Sequence, residues 1–267
     1  MIVQRIYSLA EPQLARRRIE SVQVGLALMA VELDDGSIGV TYTLRREIGE
    51  VCSAFPGEAL EGMRALEMAG WAVEGRNVLA SGLGLAVLNA ASPISPGEKQ
   101  GQDALEAGSV QPGDTVGIVG HIGPVIRRLQ GRPNQMYIFE KDGSGAENVQ
   151  PGKAQKELLP RCQVVFVTSA TLINGTLDEI LSYCTGARTI VMTGSSTPLY
   201  PEAFRNTGVT ALAGTRWLPE NREAIFRGVG QCVGMKRLIR LGEKITLKVP
   251  ENPGTGEQEA TQWTTPY

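Results

Sequence analysis

Residues 114–129, "DTVGIVGHIGPVIRRL", combine an apolar run, a glycine-rich turn and the start of a short amphipathic helix. The three glycines Gly117, Gly120 and Gly123 are spaced three positions apart, and Pro124 follows the last of them. A strand, a glycine turn and a helix form the local geometry of dinucleotide sites. Because the spacing is GxxGxxG rather than GxGxxG, the stretch predicts either a cradle for an anion or cofactor, or a tight structural turn.

Short β-branched runs alternate with helical segments after this stretch. The runs are "QMYIFE" (135–140), "CQVVFVTS" (162–169), "ARTIVMTG" (187–194) and "VTALAG" (209–214). Such alternation predicts a parallel, doubly wound, Rossmann-like α/β domain, which we place at residues 108–245. Within it, Thr176 and Glu179 match a capping box for a helix that stops at Gly186. Pro201 and Gly208 are predicted to bracket the next helix.

The N-terminal residues 1–95 predict a smaller α+β domain. Residues 3–18 are helical in pattern, and "SVQVGLALMAVELDDGSIGVTYTL" (21–44) contains two apolar runs joined by a "DDG" hairpin turn. A helix is predicted from Pro56, with Leu60, Met63 and Leu66 on one face. "NVLASGLGLAVLNAAS" (77–92) predicts a largely buried helix in which Gly84 permits close packing. "SPISPGEKQGQD" (92–103) has the composition of a domain junction, and 246–267 that of a polar tail.

Composition limits the classes of partner. The chain has 267 residues, a formal net charge of −2 and a sequence pI near 5.7, which gives no broad electrostatic reason to bind nucleic acid. The longest apolar run, Val24 to Val31, is well short of the roughly 20 residues that span a bilayer. No secretory signal pattern is present at the N-terminus, so we expect a cytoplasmic protein. A homodimer is the expectation from base rates.

The metal-binding and catalytic side chains are sparse. The four cysteines, at 52, 162, 184 and 232, form no CxxC pair, so we expect them to be reduced and mostly buried. His121 is the single histidine, and it lies inside the glycine turn as the one evident acid/base candidate. GxSxG and HExxH motifs are absent from the sequence. A hydrogen-bonded loop residue is the alternative interpretation of His121.

In a doubly wound sheet, ligands bind beyond the carboxyl ends of the strands. Glu140 ends the second strand, 20 positions after Gly120. In a dinucleotide site, an acidic residue at this position accepts a hydrogen bond from a ribose hydroxyl. The next two strands end in the hydroxyl-rich loops "TSATLINGT" (168–176) and "TGSSTPLYP" (193–201), which are suited to orienting a polar or anionic ligand. Structural alternatives exist for each: a solvated strand end at Glu140, a helix cap at Thr176, and turn positions at Asn174, Ser195, Ser196 and Thr197.

Several of these strings together resemble one known family. "VQVGLALMAVEL", "AVLNAAS", "VGIVGHIGPVI", "VVFVTSATLINGTLDEIL" and "TGSSTPLYPEAF" resemble the DUF364 family and its N-terminal DUF4213 region, whose proposed role is heavy-metal chelation. The resemblance extends to about Leu241. It implies an N-terminal domain like that of enolase, joined to a Rossmann-like domain, with a site in the cleft between them. That site would draw on Asn89, Gly120, His121, Gly123, Thr168, Asn174, Thr176, Ser195, Ser196 and Thr197.

Three functions follow as hypotheses. The first is binding of a small anionic, nucleotide-like or metal-chelate ligand in the interdomain cleft, with a role in heavy-metal handling. The second is a transferase or oxidoreductase that uses a nucleotide-type cofactor, S-adenosylmethionine or NAD, with His121 as acid or base. The third is a structural or partner-binding module, which an empty, apolar cleft would favour.

Overall fold

The structure is a computed structural model that describes residues 1–49, 55, 59–94, 103–141 and 148–251. Most of the predicted junction at 92–103 and most of the predicted tail at 246–267 lie outside these residues, as does Cys52. Within the described part, no helix is both long enough and apolar enough to cross a membrane.

The N-terminal part packs helices against a three-stranded antiparallel sheet of order β1-β2-β3. Its elements are α1 (Ile2–Leu14), β1 (Ile19–Val24), β2 (Leu28–Leu33), β3 (Ile38–Tyr42), α2 (Ala65–Glu74) and α3 (Val78–Ala90). The predicted "DDG" hairpin is confirmed, because β2 and β3 pair antiparallel around Gly36, whose φ is +82°. The first apolar run divides into β1 and β2. It turns at Gly25, where a side chain would collide with the carbonyl of Val229.

The predicted helix start at Pro56 lies outside the described residues, and the helix prediction is wrong for residues 59–64. Leu60 and Met63 lie in turns, and α2 begins only at Ala65. The cause is tertiary pairing with the start of β1. The amide of Ile19 donates to the carbonyl of Met63 at 2.9 Å, and the amide of Gly62 donates back to the carbonyl of Ile19 at 2.8 Å. Gly62 also has a φ of +82°, which a helix interior does not allow.

The C-terminal part is the predicted doubly wound sheet. Its elements are α4 (Ala104–Gly108), β4 (Thr115–Val119), α5 (Gly123–Leu129), β5 (Gln135–Glu140), β6 (Val149–Pro151), α6 (Gln155–Leu158), β7 (Val164–Thr168), α7 (Ala170–Ile173), α8 (Leu177–Tyr183), β8 (Thr189–Thr193), β9 (Ala211–Trp217), α9 (Arg222–Gly230), α10 (Met235–Leu238) and β10 (Gly242–Lys248). The strand order is β10-β9-β8-β7-β4-β5-β6, with β10 antiparallel and the rest parallel. The fold class is therefore confirmed. β6 and β10 were not predicted, and β10 continues through residues that were assigned to the tail.

Two helix boundaries differ from the prediction. The Thr176 side chain does not cap α8, because the residue has a helical backbone (φ −90°, ψ −6°) rather than the extended one of a capping residue, and its hydroxyl oxygen accepts from no amide of the first turn. Its hydroxyl donates to Asn174 Oδ1 at 2.8 Å, and the helix ends at Tyr183 rather than near Gly186. The segment from Pro201 forms only the 3-10 turn Pro201–Phe204 instead of a helix that reaches Gly208.

The two faces of the large sheet bury different partners. Val165, Val167 and Met192 point into a core that they share with α1, α2 and α3, whereas Val164 and Phe166 pack against α4 and α5. This alternation is the two-residue period of a strand buried on both faces. The smaller sheet likewise packs one face on α2 and α3 and the other on α9 and α10. A continuous core therefore joins the N-terminal helices to the seven-stranded sheet.

Candidate functional site

The chain reverses its direction of winding at β4, which lies between β5 and β7. Ligands in doubly wound sheets bind at the carboxyl end of such a switch point. Here it is formed by Gly120 after β4 and Thr168 at the end of β7. The predicted residues His121, Glu140, Asn174 and Ser195 follow or end neighbouring strands at the same edge of the sheet.

The three glycines of the opening stretch have three different surroundings. Gly117 lies in β4, where a Cβ would come within 3.1 Å of the sulfur of Cys162. Gly120 has a φ of +87°, and a Cβ there would lie 2.7 Å from Cγ2 of Thr168. Gly123 has an ordinary backbone conformation and begins α5. Packing at Gly117 and backbone conformation at Gly120 therefore explain why these two positions are glycine, without a bound ligand.

Three of the backbone amides of this turn already donate to carbonyl groups of the protein. Gly120 donates to the carbonyl of Phe139 at 2.8 Å, Ile122 to that of Gly120 at 2.9 Å, and Gly123 to that of His121 at 3.0 Å. A phosphate cradle presents unpaired amides to its ligand. A ligand at this turn would thus meet side chains first.

His121 and Glu140 form a pair across the switch point. His121 Nδ1 lies 2.9 Å from Glu140 Oε1, and the imidazole is 68% exposed while the carboxylate is 27% exposed. Glu140 was predicted to accept a hydrogen bond from a ribose hydroxyl. One of its two carboxylate oxygens is therefore already paired with an imidazole. The second ring nitrogen, Nε2, has no hydrogen-bond partner within the described ranges.

Arg127, which was not predicted as a site residue, adds a cation beside His121. A Cβ built on Gly123 would lie 3.2 Å from Nη1 of Arg127 and 3.8 Å from Nε2 of His121. The guanidinium and the open imidazole nitrogen therefore border the same small space above Gly123. The sequence does place Arg127 four residues after Gly123 on a helix, one turn away, where side chains can reach back over the helix start.

A second polar group joins the N-terminal part to the strand ends. Asn174 Nδ2 donates to Glu47 Oε1 at 3.2 Å, and Lys141 Nζ lies 2.8 Å from Glu47 Oε2. Thr176 completes the group through its bond to Asn174. Glu47 and Lys141 were not predicted, because the turn after β3 is far in sequence from both loops. Lys141 directly follows Glu140, so this group adjoins the His121 pair.

The remaining predicted residues form a buried junction between α3, β3 and the loop after β8. Asn89 Nδ2 donates to the carbonyl of Ser195 at 3.3 Å, and the hydroxyl of Ser196 accepts from the amide of Tyr42 at 3.2 Å. Thr197 is fully buried, and its hydroxyl has no hydrogen-bond partner in the described part of the chain. These contacts hold the two parts together, and a ligand role for these residues stays a prediction.

Burial makes two of the cysteines poor metal ligands. Cys162 and Cys184 are buried and unpaired, and burial raises the pKa of each thiol to about 12. Metals bind the thiolate, which burial disfavours here. Among the residues that the structure describes, no three of His, Cys, Asp and Glu come together as a metal site.

Replacing Cys162 and Cys184 together with alanine should leave any metal bound to the protein in place, because neither thiol is a thiolate near neutral pH. The measurement is metal content per folded chain by mass spectrometry, compared with the wild type. Stoichiometric loss of metal from a double variant with an unchanged circular dichroism spectrum would contradict this expectation.

A surface cavity of about 530 Å³ lies elsewhere, between the end of α1, the β2–β3 turn and the end of α3. None of the predicted site residues lines it. Arg17 at its border is already paired with Asp34 and Asp35.

Comparison with known proteins is consistent with this architecture. Two family models described as "Putative heavy-metal chelation" match the chain, DUF4213 at residues 7–92 and DUF364 at residues 103–248. An uncharacterised protein of Methanocaldococcus jannaschii is 29% identical over 150 residues, which cover 54% of this chain and 57% of that protein. The chain thus matches little more than half the length of this relative.

Two crystal structures of DUF364 proteins of unknown function are similar over almost the whole chain. The protein from Pyrococcus horikoshii is 25% identical with a TM-score of 0.78, covering 93% of this chain and 100% of that one. The protein from Desulfitobacterium hafniense is 22% identical with a TM-score of 0.72, covering 92% and 98%. Since the DUF364 model alone matches more than half of the sequence, the chain belongs to the DUF364 family, with a DUF4213 region at its N-terminus.

Proposed function

We propose that this protein binds a small anionic ligand, either a nucleotide-like molecule or a metal chelate, in the cleft at the switch point, and that it serves in heavy-metal handling. The observation that carries the proposal is the shared space above Gly123, bordered by the open nitrogen of His121 and the guanidinium of Arg127. A guanidinium offers paired donors that match a carboxylate or phosphate.

Further residues support a polar ligand at this edge. The side chain of Thr168, at the end of β7, lies beside Gly120, and the Asn174 and Thr176 side chains lie between α7 and α8. The family description adds heavy metals as the chemical context. In this proposal Ser195, Ser196, Thr197 and Asn89, which are buried between α3, β3 and the loop after β8, support the site rather than contact the ligand directly.

An enzyme that uses S-adenosylmethionine or NAD is the second candidate. The observation in its favour is the position of Glu140 at the end of the second parallel strand, where dinucleotide folds place a ribose-binding acid. In this candidate, the His121–Glu140 pair would accept or donate a proton at Nε2.

Identifying what accompanies the purified protein tests both candidates. Native mass spectrometry with metal analysis would reveal a bound chelate, a nucleotide or neither. Calorimetric titration with citrate, pyrophosphate, AMP, S-adenosylmethionine and NAD would then separate general anion binding from recognition of a nucleotide cofactor. If none of these probes binds and nothing accompanies the protein, a structural or partner-binding module becomes the better interpretation.

Replacing Gly123 with alanine should weaken binding of whichever anionic probe binds best, while the fold survives. The added methyl group would occupy the space beside His121 and Arg127, but Gly123 has no left-handed φ and the closest atom is the tip of a flexible side chain. We expect a loss of affinity of about tenfold or more, equal to about 1.4 kcal/mol.

Gly234→Ala is the matched control, because a Cβ there meets no atom within 4 Å and its φ is also ordinary. Gly120→Ala is a poor probe because its φ of +87° makes any side chain strained. If Gly123→Ala and the wild type bind the probe with equal affinity, the space above Gly123 is not part of the binding site.

A further inference from the structure

We infer that His121 binds, through Nε2, the metal ion of a chelate whose carboxylate groups pair with Arg127. The ligand class is a divalent transition metal already held by an anionic organic chelator that leaves a coordination position open. This inference rests on the proposed function and narrows it from small anions in general to one kind of complex.

The first support is the geometry of the imidazole. Glu140 Oε1 lies 2.9 Å from Nδ1, where it accepts the N–H hydrogen bond of the tautomer whose lone pair is on Nε2. Metal-binding histidines have this arrangement, in which a carboxylate fixes the ring and raises the basicity of the coordinating nitrogen. The 68% exposure of the imidazole leaves room for a bulky complex.

The second support is the number of donors. The chain contains one histidine, the Cys162 and Cys184 thiols are buried and protonated, and no three of His, Cys, Asp and Glu come together as a metal site within the described residues. One neutral imidazole does not hold a metal ion by itself, since structural and catalytic sites use three or four protein ligands. Imidazole is nevertheless a good single ligand for nickel, copper, zinc or iron. A complex that brings most of its own ligands therefore fits His121 better than an aqueous ion does.

The third support is the charge beside the open nitrogen. Nη1 of Arg127 and Nε2 of His121 both lie within 4 Å of the same point above Gly123. A guanidinium at this distance disfavours a bare divalent cation and favours the carboxylates of a chelator. The pair thus selects for a chelated metal over a free one.

The test uses nickel(II) nitrilotriacetate, which carries carboxylates and has coordination positions open to an incoming ligand. Calorimetry should show one complex bound per chain. Because the protein has a single histidine, proton NMR should show one paramagnetically shifted imidazole N–H. Nickel(II) EDTA, whose coordination sphere is closed, should not produce that resonance. Aqueous nickel(II) should bind several-fold more weakly than the nitrilotriacetate complex.

Three variants test the separate roles. His121→Gln should lose the shifted resonance and most of the affinity. Glu140→Gln should weaken binding by about tenfold, the effect of removing a carboxylate behind a metal-binding histidine. Arg127→Gln should weaken binding of the nitrilotriacetate complex but not of aqueous nickel(II), which a merely structural role would not predict.

An ordinary surface histidine is the control. Gln4 is exposed on α1, so Gln4→His in the His121→Gln background supplies an imidazole without a neighbouring Glu140 or Arg127. We expect it to bind aqueous nickel(II) and the chelate about equally and weakly. Equal affinity of this control and the wild type for the chelate would overturn the inference.

Metal-free nitrilotriacetate separates this inference from the proposed function. If it binds as tightly as its nickel complex and His121→Gln has no effect, the site is an anion site, so the proposed function stands and the metal inference fails. If neither binds but citrate, pyrophosphate or AMP does, the metal inference again fails alone. If no anion binds at all, both are wrong.

Discussion

Replacing Gly84 with alanine should destabilise the fold by about 3 kcal/mol, the upper part of the usual range for an overpacked core. α3 crosses α2 so closely at this glycine that a Cβ would lie 2.5 Å from the amide nitrogen of Ala72 and 2.8 Å from the carbonyl oxygen of Met68. Both are backbone atoms, so no side-chain rotation relieves the collision and the helices must move apart. For a protein of this size we expect the melting temperature to fall by roughly 6–12 °C.

Gly70 provides the matched control on the facing helix. A Cβ there would meet its nearest atoms only at 3.9 Å, and Gly70 lies inside α2. Gly70→Ala should therefore stabilise the protein by about 0.5–1 kcal/mol, because alanine has less backbone freedom to lose and a higher helix propensity. Equal melting temperatures for Gly84→Ala and the wild type would show that α2 and α3 are not in backbone contact.

The parallel strands could be predicted because their evidence is local. Val164 to Val167 are buried on both faces of the sheet, so the strand is a continuous apolar run between polar turns. β10 lies at the edge, and its sequence "GEKITLK" is charged and mostly partly exposed. Its strand state comes from antiparallel pairing with β9, a long-range contact that local composition does not show. The same holds for the three-residue β6.

Local motifs failed where the backbone conformation or a long-range contact differed from what the motif requires. Thr176 and Glu179 match a capping box, yet Thr176 has a helical backbone conformation and its side chain accepts from no amide of α8. Leu60 and Met63 match a helical face, but their segment pairs with β1 instead. In both cases the motif is present in the sequence and the tertiary structure overrides it.

The candidate site could be predicted only from its own loops. His121 and Glu140 were selected separately, by the glycine turn and by the strand-end spacing, and the structure places them 2.9 Å apart. Glu47 could not be selected this way, because it precedes the Asn174 that it contacts by 127 residues. Long-range partners of that kind require either the fold or an observation of covariation.

The ion pair between Asp114 and Arg188 should stabilise the fold to an extent that depends on pH. Its carboxylate accepts two hydrogen bonds from Arg188, at 2.7 and 2.6 Å, and one from the amide of Gln111 at 2.6 Å. The Arg188 hydrogen bond is the main reason that the pKa of Asp114 lies below its ordinary value. The pair ties the segment before β4 to the start of β8. This is the amino end of the strands, so its loss should change stability without changing ligand affinity.

Asp114→Asn should lower the free energy of unfolding at pH 7 by about 2 kcal/mol, the scale of hydrogen bonds to a charged group. Because the folded-state pKa is depressed, the stabilisation by the charge is fully present above the ordinary pKa of about 3.9. It is lost as the pH falls through the lower folded-state pKa.

The measurement is urea unfolding of both proteins from pH 7 to pH 2. Glu157→Gln, which breaks an exposed pair with Arg161, is the control and is expected to cost less than about 0.5 kcal/mol. The difference between wild type and Asp114→Asn should shrink below about pH 3.9. A difference that stays constant down to pH 2 would show that the loss comes from packing around residue 114, because only the charged form of the carboxylate is stabilised by Arg188.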